Sequence, residues 1–174
     1  MAVNLESLVG AVMEQAQRKG FGTEPQEINV PEKFVLIHSE ISEAYHALET
    51  SRMEGRNGFY EELGDVLQRT LHLGGIYGAN FGDLVEYSLD LFKRASAEEK
   101  LLRLHKVTSV AYEHYRHKRL DNLKNTLAYL AHAIILISEQ YGFDINDIVA
   151  KKMKLNLDRD WRGRDLNETL VPES

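Results

Sequence analysis

The chain has 174 residues, 43% of them apolar, and no cysteine, so it suits one domain with a real core and can form neither disulfides nor a thiolate zinc site. Its formal charge of −6 argues against a general nucleic-acid binder, and no apolar run is long enough to span a bilayer. The start, "MAVNLESLVG", lacks a basic segment followed by an apolar one, so it does not read as a signal peptide and a cytoplasmic protein is expected.

Apolar residues recur at three-four spacing and prolines stand only at 25, 31 and 172, which predicts an all-α helical bundle. The first helix is expected from Leu5 to Lys19, with Leu5, Leu8, Val9, Val12 and Ala16 on one side, stopping at "KGFGTEP". "NVPEKF" opens the second: Asn29 can cap it, and Pro31 suits a first turn because its missing N–H has no partner there. It should reach about Met53. After "EGRNG" a third helix is predicted over Phe59 to Tyr77, and a short one over Phe81 to Lys93. Three more follow at about 97–117, 120–141 and 144–159.

Two short self-similarities run through this plan. "YGANFGDLV" at 77–85 aligns with "YGFDINDIV" at 141–149, and "SEAYHA" at 42–47 resembles "SVAYEH" at 109–114. They fit a single domain over 1–174 with related halves of about 1–95 and 96–164 and a tail of 165–174. They fit chance matches between amphipathic helices equally well.

The acids do not repeat. At the same offsets Glu62 and Asp65 fall on Thr126 and Tyr129, and Glu40 and Glu43 on Val107 and Val110. One acidic site per chain is therefore expected, supported by a second half that packs.

Residues three apart on a helix point the same way, so "LIHSEISEAYHALE" presents Glu40 and Glu43 together, and "EELGDVLQRTLHL" presents Glu62 and Asp65. The short connection between their helices predicts an antiparallel hairpin with the two pairs among core residues. Four carboxylates facing one another need a cation, and a hard divalent ion, Mg²⁺ or Mn²⁺, suits oxygen ligands. A solvated acidic face is the plainer reading. A di-iron bundle needs two Glu-x-x-His motifs, and Glu43–His46 is the only one in the chain.

"KGFGTEPQEINVPEKFVLIHSEISEAYHALE", "EELGDVLQRTLHL" and "YGFDINDIVAKKMKLNLDRDWRGR" together resemble the MazG-like, all-α nucleoside triphosphate pyrophosphatases, in order and over most of the chain except roughly 86–130. The family pattern is E-E-x-x-E on one helix, E-x-x-D on the next, and a late helix bearing Lys, Asn and Arg. The resemblance implies that Glu40, Glu43, Glu62 and Asp65 are catalytic acids that bind Mg²⁺. It also implies an oligomer, here expected to be a homodimer. One departure stands out: Ser39 occupies the place of the pattern's first acid, and His38 and His46 are the nearest substitutes, each equally readable as a structural histidine.

Lys152, Asn156 and Arg159 fall at i, i+4 and i+7, one face of the last helix, and are the expected substrate-binding residues. Alone they read as a basic helix end offsetting its dipole. The function implied is Mg²⁺-dependent attack of water at the α-phosphate of a (d)NTP, giving (d)NMP and pyrophosphate. The alternatives are a weakened nucleotide-binding protein or a structural bundle of the same fold. Phe21, His72 and Tyr77 are candidates to line the pocket, and Trp161 to stack on a base.

Overall fold

A computed structural model describes residues 4–82 and 89–158, with Leu91 and the last three by backbone alone. It is an all-α helical bundle with no strand among the described residues. The helices are α1 (Leu5–Lys19), α2 (Val30–Glu49), α3 (Phe59–Tyr77), α4 (Asp90–Lys93), α5 (Ala97–Arg116), α6 (Leu120–Tyr141) and α7 (Ile145–Asp158). No helix is long and apolar enough to cross a membrane among the described residues.

Their starts follow local chemistry. Asn4, Asn29 and Ser96 each accept a backbone N–H of the first turn through the side chain, and Ser96 and Glu99 form a reciprocal capping box. Asp144 does the same service before α7, taking the Asn146 N–H at 2.9 Å.

Two boundaries differ from the sequence-based expectation. α2 stops at Glu49 rather than near Met53, because Ser51 adopts a left-handed conformation (φ 55°) and Arg52 N–H turns back to the Ala47 carbonyl at 2.8 Å. The helix expected over Phe81–Lys93 is a single described turn, Asp90–Lys93. Phe81 and Gly82 are not helical, and 83–88 lie outside the described residues.

α3 is the axis of the bundle: it packs against α2, α6, α7 and α1, while α5 closes the other side against α2 and α6. Contact on so many sides explains why Leu63, Val66, Leu67 and Leu71 are fully buried along it. It also explains why a carboxylate on α3 can be drawn into the interior. Glu40, midway along α2, meets Arg69, midway along α3, across a connection of nine residues (50–58), so the two helices form the expected antiparallel hairpin.

Candidate functional site

The hairpin and α7 together enclose a cavity of about 890 Å³ lined by Glu40 and Glu43 from α2, Glu61, Glu62, Asp65 and Arg69 from α3, and Lys152 from α7. Glu40, Glu62 and Asp65 each offer a carboxylate oxygen, and these oxygens lie within 4.8 Å of one another. Helical spacing supplies this directly, since Glu62 and Asp65 share a face of α3 and Glu40 faces them from α2.

The fourth expected acid stands apart. Glu43 is exposed, accepts the Ser39 hydroxyl at 3.3 Å, and sits in the cavity wall outside the triad. The buried stripe of α2 runs through Ile37, Glu40, Ile41 and Ala44, so position 43 falls on the outer side of that stripe.

Glu62 is the deepest of the acids, 2% exposed, and its side chain has no hydrogen bond or ion pair among the described residues. Burial pushes its pKa up to about 8, the Asp65 charge adds to this, Lys152 opposes it, and Glu43 and Glu40 contribute further upward. Asp65 is also raised, by burial first, against the pull of Lys152. A hard, oxygen-preferring divalent cation fits this donor set: three close carboxylates, one of them buried and unpartnered.

Two side chains already place positive charge there. The Arg69 guanidinium donates from Nε to Glu40 Oε1 at 2.7 Å, and its Nη2 reaches the same oxygen. Lys152 Nζ lies 2.6 Å from Asp65 Oδ2 and 3.7 Å from Glu61 Oε2. Burial alone would lower the Lys152 pKa, but Asp65, with Glu61 and Glu62 behind it, turns the net shift upward, so the ammonium form is favoured.

Arg69 is the residue that the sequence reading missed. It lies four residues beyond Asp65 and seven beyond Glu62, one helical face, and that spacing was the available signal. Of the expected substrate-binding residues, Lys152 lines the cavity. The Asn156 side chain and Arg159 lie outside what is described, as does Trp161.

Neither histidine near Ser39 lines the cavity. His38 turns to α5, where its Nδ1 meets His105 Nδ1 at 2.7 Å, and His46 is exposed in the last turn of α2. Phe21 and His72 do line the cavity, His72 donating through Nε2 to the Gly22 carbonyl at 2.8 Å. Burial lowers the His72 pKa and favours its neutral form. Tyr77 instead packs edge-on to Tyr115, with ring centroids 6.4 Å apart.

No protein-family model, curated protein or solved structure matches this chain.

Proposed function

We propose that this protein is a Mg²⁺-dependent nucleoside triphosphate pyrophosphohydrolase of the MazG-like, all-α kind, cleaving (d)NTP to (d)NMP and pyrophosphate. The observation that carries the reading is the convergence of Glu40, Glu62 and Asp65 in a cavity that is also lined by Lys33, Arg56, Arg69 and Lys152. Such a mixture suits a ligand that is strongly anionic yet needs cations beside it. A solvated acidic face does not bury a carboxylate as deeply as Glu62 is buried.

Glu40, Glu62 and Asp65 would hold the ion, with Glu43 at the rim as the fourth acid and Mn²⁺ as an alternative metal. Bound there, Mg²⁺ would neutralise phosphate charge and polarise the α-phosphorus. The basic side chains, Lys152 and Arg159 among them, take phosphate oxygens, and Asn156 takes the base or sugar. Water attacks the α-phosphorus and a new P–O bond forms. The bond from the α-phosphorus to the oxygen bridging the β-phosphate breaks, and pyrophosphate leaves with the electron pair. A cavity carboxylate accepts the proton of the water. The same reading expects a homodimer.

Ser39 favours one second reading: a module of the same fold that holds nucleotide without turnover, because the family's first acid is replaced by a hydroxyl already engaged with Glu43. A single-turnover assay with excess protein, Mg²⁺ and a panel of NTPs and dNTPs separates the two. Stoichiometric pyrophosphate and nucleoside monophosphate are expected for the hydrolase, and tight binding without pyrophosphate for the module. A purely structural bundle would show neither.

A further inference from the structure

Two cations guard the acidic triad, and they are held differently. Lys152 is tied to two acids, and its side chain is 18% exposed. Arg69 has a single partner among the described residues, Glu40, and both of its contacts fall on one oxygen, Oε1. Its side chain is 38% exposed against 9% for Glu40. The guanidinium therefore lies toward the cavity opening, above a carboxylate that is sunk in the wall, and can swing away without unpacking α3.

Lys33, between Glu32 and Leu36 on the same wall, provides a second positive charge beside it. Burial lowers the Lys33 pKa, Glu32 opposes this, and the Arg69 charge lowers it further, so the two cations sense each other. No hydrogen bond or ion pair engages the Lys33 ammonium among the described residues. Two neighbouring cations, one held by a single carboxylate oxygen and the other by no hydrogen bond or ion pair among the described residues, form a corner suited to phosphate oxygens.

We propose that Arg69 is a cation-exchange residue: when a divalent ion enters the triad, its guanidinium leaves Glu40 and, with Lys33, binds the phosphate oxygens of the triphosphate. The inference rests on the hydrolase reading and deepens it. It assigns the phosphate grip to the α2–α3 wall as well as to α7. The driving force is electrostatic. An ion among Glu40, Glu62 and Asp65 supplies the charge that Arg69 supplied to Glu40, and it repels the guanidinium at short range. An incoming polyphosphate then offers the freed fork a better partner than water does. Metal and triphosphate thus bind with positive coupling, and the coupling runs through one side chain.

The test titrates Mn²⁺ alone, and then inorganic tripolyphosphate at saturating Mg²⁺, into the full chain and its variants by calorimetry. Arg69→Gln is expected to bind Mn²⁺ several-fold more tightly, because Glu40 no longer has a competing cation. The same variant should bind tripolyphosphate about tenfold more weakly. Lys33→Gln should weaken tripolyphosphate and leave Mn²⁺ unchanged. Should Arg69→Gln not fold, Arg69→Lys, which keeps one charge but loses the fork, is expected to weaken tripolyphosphate several-fold. Opposite signs on the two ligands are the signature, since a merely structural Arg69 would weaken both or neither. If the native chain binds both ligands but the Arg69 variants leave tripolyphosphate unchanged, or Arg69→Gln weakens Mn²⁺, the exchange role is overturned and the hydrolase reading survives. If the native chain binds neither ligand, both fall together.

Discussion

A carboxyl group that is 2% exposed and has no donor among the described residues is costly to ionise, and Glu62 is such a group. Its pKa rises from an ordinary 4.5 to about 8, chiefly through burial and then through Asp65. The sign for stability follows from comparison with the unfolded chain. Below pH 4.5 both states hold the proton and the contribution is fully present. Between 4.5 and 8 the unfolded chain releases the proton and the folded one keeps it, so stability falls as pH rises, until Glu62 ionises in the folded protein as well. Glu62→Gln removes this dependence. Chemical denaturation of the metal-free protein should find the variant more stable than the native chain at pH 9, by on the order of 3 kcal/mol, with the gap closing toward pH 5. Equal stability across that range would mean that Glu62 is solvated. The meeting of acids from α2 and α3 was legible in the sequence, from two pairs at helical spacing. The identity of the cations already present was not. Arg69 and Lys152 reach the acids from different helices, and only the crossing of α2, α3 and α7 decides which basic side chains arrive.

At the scale of elements, the sequence told most where boundary chemistry is local. α1 and α3 begin and end where their caps and glycines indicate, and α5, α6 and α7 fall within a residue or so of expectation. α2 ended early because a left-handed serine is not a recognised stop signal, unlike the left-handed Gly78 that ends α3. What the sequence could not show is how closely α3 is approached. A Cβ at Gly64 would sit 2.5 Å from Ile148 Cγ2 of α7, and one at Gly75 would sit 2.7 Å from Met13 Sδ of α1. The two differ in what must yield. Ile148 is β-branched and stiff, whereas the Met13 thioether is an adaptable tail. Gly64→Ala should therefore cost about 1–2 kcal/mol, even after the gain in helix propensity, and displace α7 with Lys152. Gly75→Ala should be neutral or stabilising by up to about 1 kcal/mol. Thermal unfolding of the two variants side by side checks this, and equal losses would contradict the assignment of Gly64 as the seat of α7.

For the whole molecule, the bundle divides the work unevenly. The α2–α3 hairpin carries the acids, and the α5–α6 pair packs against it with Thr126 and Tyr129 where the acids would stand at the matching offset. Tyr129 meets Phe92 edge-on at 6.1 Å, and the Thr126 hydroxyl donates to the Asn122 carbonyl of its own helix. In α6 these two side chains pack and pair locally and carry no charge. α7 closes the cavity by bringing Lys152 to Asp65. The burial of two of the clustered carboxylates depends on this arrangement: without α6 and α7 against α3, Glu62 and Asp65 would be wet and independent. The most direct measurement is a crystal grown with Mn²⁺ and inspected for anomalous scattering. A peak bounded by Glu40, Glu62 and Asp65, with Arg69 moved off Glu40, is the expected result. Crystals without a peak at any Mn²⁺ concentration, in which Arg69 and Lys152 still neutralise the triad, would contradict the proposed metal-dependent hydrolase.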